Sequence, residues 1–305
     1  MGIEPTVIFR GSTGLNTVLD PARIPFNAET GISALAVALN VKVDQTGRVS
    51  RRDGYAQIRP GKIHSLFCAG KSCVFMRDSS LYELLPDKSE VLLHTNIHSK
   101  LDYAQVNSDI YYTGIADFGI IRNQERVPWS SPPRVGQNSN RQMSPPPVQA
   151  THIAFWGGRI FLSLGNFIIY SEPFGFGWFD LARSYQGFDS YITMLKAVDE
   201  GLFISTMSAV YFMTGSTPKD FKVKQVSQEP ALEWSVAIDL IDGREIGKQI
   251  PGLYALWVSP KGASAGGPDG QVYNDITRDS VVYPKTAPVG ASLLRGYEFI
   301  HTLGV

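Results

Sequence analysis

Ile63-His64-Ser65-Leu66-Phe67-Cys68-Ala69-Gly70-Lys71-Ser72-Cys73-Val74-Phe75-Met76 places two short apolar runs around a Gly-containing turn. The same phrase returns at residues 101–112, at His152-Ile153-Ala154-Phe155-Trp156-Gly157-Gly158-Arg159-Ile160-Phe161-Leu162-Ser163, and at residues 192–213. After the second run a third follows, as in Ser80-Leu81-Tyr82-Glu83-Leu84, Asn166-Phe167-Ile168-Ile169-Tyr170-Ser171 and Ser208-Ala209-Val210-Tyr211-Phe212-Met213. A degenerate repeat of roughly 40 to 50 residues is the signature of blades in a radial β-architecture.

The side-chain period makes these runs strands. β-Branched and aromatic residues crowd Arg159-Ile160-Phe161-Leu162-Ser163-Leu164 and Gly201-Leu202-Phe203-Ile204-Ser205-Thr206, and no run keeps a helical stripe for long. The reading is strands mostly buried on both faces, with tight reversals at Gly157-Gly158, Asp199-Glu200-Gly201, Asn107-Ser108-Asp109 and Asp44-Gln45-Thr46-Gly47. After two of the third runs, Glu172-Pro173-Phe174-Gly175-Phe176 and Ser216-Thr217-Pro218-Lys219-Asp220-Phe221 combine a Pro that halts pairing with a Phe suited to plug the space between sheets.

The fold class expected is all-β, a propeller of about five or six blades with an extended N-terminal arm and long loops. With 305 residues, 43% hydrophobic and 11% aromatic, one closed core is well supplied. Residues 1–33 read as the arm, and 34–305 as a single propeller interrupted at 130–148 by a Pro-rich loop or insertion. Residues 261–270, with Gly262, Gly266, Gly267 and Gly270, read as a mobile tip. The hairpin signal in Val37-Ala38-Leu39-Asn40-Val41-Lys42-Val43 and the lone strand signal at 293–305 suggest that first and last segments share a blade and close the ring.

Charge and motif content narrow the function classes. The balance of 28 basic and 28 acidic residues argues against a chain that neutralises many phosphates along DNA. Neither a leader nor a membrane-length apolar run is expected from this sequence, which makes synthesis in a cytoplasm the simple expectation. Cys68 and Cys73 would face each other across a hairpin, and buried free thiols are favoured over a cross-strand disulfide on that expectation. Asp102, Asp109, Asp117, Asp180, Asp189, Asp199 and Glu200 are the acids near the repeats, and most read as turn residues rather than a catalytic pair. The five histidines, His64, His94, His98, His152 and His301, are scattered and lack metal-ligand spacing. Gly11-Ser12-Thr13-Gly14 lacks the Lys of a phosphate loop. No cofactor, metal or catalytic activity is expected.

The opening Ala36-Val37-Ala38-Leu39-Asn40-Val41, with Val43-Asp44, Gly47 and Arg51-Arg52-Asp53-Gly54, resembles the start of β-propeller virion proteins of tailed bacteriophages. Val210-Tyr211-Phe212-Met213-Thr214-Gly215, Leu256-Trp257-Val258-Ser259-Pro260 and Asn274-Asp275-Ile276-Thr277 are similar to the same group. The group includes the tail nozzle proteins of short-tailed phages, although the chain is shorter than typical nozzles. The resemblance implies a structural subunit of a phage tail or neck, a ring of six beneath portal and adaptor, with DNA passing through without specific binding. It places the protein in the virion after synthesis in the host. Ring contacts need one patch to meet a different patch on the neighbour. Ile24, Pro25, Phe26, Trp129, Pro146 and Gly266 are the assembly candidates, and packing of Phe26 and Trp129 on their own propeller is the competing reading. A carbohydrate-binding or carbohydrate-cleaving propeller acting in host receptor recognition is the alternative function, with Trp178, Phe179, Tyr185 and Phe188 as a sugar platform, although filler between blades is the preferred reading of that cluster.

Overall fold

Local turn chemistry sets the reversals. Gly157 and Gly158 stand at φ 56° and 72°, and Asn123 and Gln124 at 51° and 66°. Two successive left-handed residues give a two-residue turn the twist of its flanking strands. A computed structural model describes residues 9–39, 41–44, 46–51, 59–69, 72–131, 143–241, 250–260, 262–273, 289–292 and 300–303.

The N-terminal part holds β1 (Gly11–Leu15), β2 (Phe26–Asn27) and β3 (Ile32–Leu35) in a small sheet of order β1-β3-β2, followed by the hairpin β4 (Val41–Val43) and β5 (Val49–Arg51). The first blade is β6 (Ile63–Ala69), β7 (Ser72–Arg77), β8 (Ser80–Leu84) and β9 (Glu90–His94). The second is β10 (Asp102–Val106), β11 (Asp109–Thr113), β12 (Phe118–Arg122) and β13 (Glu125–Val127). The third is β14 (Ile153–Trp156), β15 (Arg159–Leu164), β16 (Phe167–Glu172) and β17 (Gly175–Phe179), with β18 (Tyr185–Gly187) also pairing β16. The fourth is β19 (Ile192–Val198), β20 (Gly201–Thr206), β21 (Val210–Thr214) and β22 (Lys222–Ser227). The fifth is β23 (Ala237–Ile241), β24 (Gly252–Ser259), β25 (Gly262–Gly266) and β26 (Val272–Tyr273), and a hairpin of β27 (Val289–Ser292) and β28 (Ile300–Leu303) follows.

Every blade is an antiparallel meander in chain order. First strands of successive blades lie side by side, β6 with β10, β10 with β14 and β14 with β19, while β19 meets the fifth blade through β24. β27 then touches both β23 and β6, so the circuit closes. The fold is a β-propeller. Its ring has five full blades and, in the sixth position, the C-terminal hairpin.

Closure differs from the expected sharing of one blade. The segment at 300–303 has a hairpin partner in Val289–Ser292, and among the described residues β4–β5 and β27–β28 pair only within themselves. A short-range hairpin closes a far smaller loop than pairing across the whole chain, and so loses less entropy. The arm is also more than an extended strand. β1 and β3 pair in parallel, β3 runs across residue 33, and Ser12 N–H donates to Gly47 O at 2.7 Å, which folds the arm back on the β4–β5 hairpin.

The core lies between blades. One cluster joins Val74, Met76 and Leu81 to Leu101, Tyr103 and Tyr112; the next joins Tyr111 and Trp129 to Ile153, Ile160 and Phe179. Phe161 and Tyr170 then meet Leu195, Leu202 and Ile204, and Phe203 and Phe212 meet Ala255 and Trp257. Consecutive residues such as Tyr111 and Tyr112 therefore serve opposite faces, as the strand period requires. Phe176 and Phe221 fill inter-blade space as expected, whereas Phe174 does not, remaining 81% exposed.

Two further expectations are corrected. Cys68 and Cys73 form a disulfide, because the register of β6 and β7 sets them directly opposite with Cα atoms 4.1 Å apart. Within the Gly-rich stretch Gly262–Gly266 form the buried strand β25 rather than a tip, and the turn into β26 is confined to Gly267 through Gly270. A methyl on Gly266 would sit 2.5 Å from Phe203 and 2.9 Å from Trp257, so the small residues of β25 make room for neighbouring aromatic rings. We expect Gly266→Ala to destabilise the fold by about 1–3 kcal/mol through overpacking, measured by urea unfolding, with the oligomeric state unchanged. A variant of native stability with altered assembly would restore Gly266 as an interface residue.

Candidate functional site

Four blades send charged side chains to one point near the axis. Asp102 opens β10, His152 directly precedes β14, Lys196 lies within β19, and Glu233 and Trp234 occupy the loop before β23. Asp102 is buried and Lys196 nearly so, and their carboxylate and ammonium form an ion pair. Asp102 Oδ1 also accepts from Tyr103 N–H at 2.9 Å, and Oδ2 accepts from Ile153 N–H at 3.1 Å. The imidazole of His152 is 2% exposed, with Nδ1 3.6 Å from Asp102 Oδ2 and Nε2 3.6 Å from Glu233 Oε1. Glu233 reaches solvent. The Trp234 ring lies 4.8 Å from that of His152, and Lys100 Nζ stands 5.8 Å from the indole centroid.

Electrostatics decides the protonation states here. Burial pushes the Asp102 carboxyl upward, but the Lys196 ammonium and the hydrogen bond and charge of His152 outweigh it and hold the pKa at about 2. Burial pushes His152 down, and the facing carboxylates of Asp102 and Glu233, each 3.6 Å away, outweigh it, so its pKa is raised. Below the ordinary imidazole range a buried imidazolium is thus held between two carboxylates from different blades. Asp102, His152 and Glu233 run in a line rather than converging, and among the described residues no set of three such side chains could hold a metal ion.

Asp102 was expected to be a turn acid; it is instead the buried anchor of this cluster. Asp109 pairs with Arg122 across β11 and β12 at 2.6 Å, and Asp199 accepts from Leu253 N–H at 2.8 Å. Lys196, Glu233 and Trp234 were not singled out by sequence. The available signal was a polar residue at the entrance of each repeat's first strand, as in His64, Asp102 and His152.

The assembly candidates do not form one surface. Ile24 is half-buried, while Pro25 and Phe26 are exposed and line a groove of about 580 Å³ with Leu19 and Ile32 in the arm. Trp129 is 4% exposed, packs edge-on to Tyr111 and donates its indole N–H to Phe176 O at 2.9 Å, so it anchors its own propeller rather than a neighbour. Pro146 is buried beside Ser144, which pairs with Phe179 across the edge of β17; residues 132–142 of the Pro-rich segment lie outside the described residues. Gly266 belongs to the fifth blade, as described above. The aromatic platform is also taken apart: Phe179 is fully buried, Phe188 packs against Tyr211, and only Tyr185, edge-on to Phe167, is well exposed. The quoted stretches 52–54 and 274–277 lie outside the described residues.

No protein-family model and no curated protein matches this chain. Among solved structures it is similar to the WD40 domain of Pan2 from Neurospora crassa, at 10% identity over 68% of this chain and 63% of that one, with a TM-score of 0.42. The chain thus spans less than two thirds of that domain. A gluconolactonase of Xanthomonas campestris is similar at 9% identity over 76% of this chain and 80% of that one, with a TM-score of 0.47. Sqt1 of Saccharomyces cerevisiae is similar at 10% identity over 74% and 64%, with a TM-score of 0.43. These likenesses concern the fold. Among the described residues no helix is long and apolar enough to cross a membrane.

The cluster makes stability depend on pH from both sides. A lowered Asp102 pKa stabilises above the ordinary carboxylate range and is lost as pH falls towards about 2. A raised His152 pKa stabilises fully below the ordinary imidazole value and is lost as pH rises through the elevated one. The cluster's contribution is therefore greatest between about pH 4 and 6.5. We expect His152→Gln to remove the alkaline fall in urea-unfolding stability. Asp102→Asn, which leaves the Lys196 charge unpaired, should cost about 3–5 kcal/mol at pH 6.

Proposed function

We propose that this chain is a structural subunit of a bacteriophage tail or neck, assembling through its arm into a nozzle-like ring that helps form the conduit for DNA ejection. The observation that carries the reading is the distribution of apolar surface. Phe9, Val18, Leu19, Phe26, Val37 and Leu39 are all exposed, with Val37 and Leu39 at 68% and 81%. Among the described residues, no buried hydrophobic side chain precedes Cys73. The arm and the segment just after it therefore keep their apolar residues for a surface other than their own core, as an arm ordered on an adjacent subunit does.

Two features agree with a conduit role. Formal net charge is zero, with 28 basic residues balanced by 28 acidic ones, so the chain carries no excess of cations to retain phosphates. The charged cluster occupies the propeller's axial region, so the passage belongs between subunits of the ring. The subunit acts by assembly and performs no turnover.

Light scattering and negative-stain imaging of the purified protein test this reading. We expect a symmetric ring, with six copies favoured, and its conversion to monomers by Phe26→Ala combined with Leu19→Ser, with no loss of melting temperature. A monomer at tens of micromolar that the double substitution leaves unchanged, together with absence of the protein from phage particles, would overturn it.

A further inference from the structure

Two features meet where the loop before β23 reaches the start of β14. Trp234 stands at φ 66°, a left-handed conformation that a bulky side chain adopts only under constraint from its surroundings. Beside it, His152 Nε2 is buried, lacks a hydrogen-bond partner among the described residues, and points to the solvent-reaching Glu233 carboxylate. A strained aromatic residue beside a buried nitrogen that faces a solvent-reaching carboxylate without hydrogen-bonding to it marks a site open to a ligand.

The groups at the mouth define what fits. Glu233 supplies an acceptor, Lys100 a donor, and the half-buried Trp234 an aromatic face between them in the chain of contacts. A purely anionic ligand meets the Glu233 carboxylate, and a purely cationic one meets the Lys100 ammonium. A neutral ring with hydroxyl groups satisfies both, donating to the carboxylate, accepting from the ammonium and laying its C–H face on the indole. We propose that Glu233, Trp234 and Lys100, backed by His152, form a saccharide-binding site at the mouth of the propeller axis. The site is distinct from the Trp178 and Tyr185 region and is independent of ring formation, since every group in it comes from one chain.

The full-length protein is titrated with D-glucose, D-galactose and N-acetyl-D-glucosamine by tryptophan fluorescence, with sodium acetate and tetramethylammonium chloride as charged comparators. At least one sugar should saturate in the millimolar range, with Glu233→Gln and Trp234→Phe each weakening it about tenfold or more in a protein that still unfolds cooperatively. Should Trp234→Phe lower the melting temperature, the exposed Lys100→Ala takes its place, with the same loss expected. The proposal fails if no sugar saturates by ~100 mM, if either comparator binds more tightly than every sugar, or if Glu233→Gln and Lys100→Ala both bind as the native protein does.

Discussion

Burial of each sheet on both faces is the constraint from which the rest of this structure follows. All six residues of β20 are buried, which leaves that strand no solvent face at all. A blade of this kind exposes two apolar surfaces when it stands alone, and each surface is covered only by the next blade. Phe203 shows the mechanism in one side chain: it packs tilted against Phe212 of its own fourth blade at 4.7 Å, meets Trp257 of the fifth at 5.7 Å, and occupies the space over Gly266. Fully burying such a side chain contributes about 1.5–3 kcal/mol, so the ring is held chiefly by its inter-blade faces.

Hydrophobic contact alone does not fix where one blade sits against the next, and polar side chains supply that register. Ser65 Oγ accepts Leu101 N–H at 2.9 Å, Asp102 Oδ2 accepts Ile153 N–H at 3.1 Å, and Ser205 Oγ accepts Ala231 N–H at 2.9 Å. In each case a side chain of one blade satisfies a backbone donor at the entry to the next. Thr113 and Thr193 add the converse bond, donating to Ala150 O at 3.0 Å and to Ala231 O at 3.2 Å. The axial ion cluster is the strongest member of this set. Its charges are costly to bury singly, and so are tolerated only when all four blades are in place.

This arrangement explains which parts were legible in the sequence. Strand period and turn residues are local properties, so the hairpins at Gly157-Gly158 and Asn107-Ser108 could be read directly, and the repeat then implied a propeller. Contacts between blades are not local. Asp102 looks like any turn acid until β10 is seen beside β14 and β19, and Lys196 lies 94 residues away from it in sequence. Gly266 and its neighbours looked mobile because Gly favours flexible backbone, yet they are small because Phe203 and Trp257 fill the volume. Trp129 looked like an anchor for a partner because Pro-rich sequence surrounds it; the partner is Phe176 of the adjacent blade.

The arm reverses the logic of the ring. Within the propeller, polar residues are drawn inward to join blades and apolar residues are used up between them. In the arm, short polar side chains hold the backbone: Asn16, Asp20 and Asn27 each accept a backbone N–H two residues on, which shapes turns without any buried core. Apolar residues are then left on the outside, at Leu19, Phe26, Val37 and Leu39. A segment shaped by side-chain-to-backbone bonds keeps its form while presenting these groups, and this lowers the ordering entropy that must be overcome when another surface covers them.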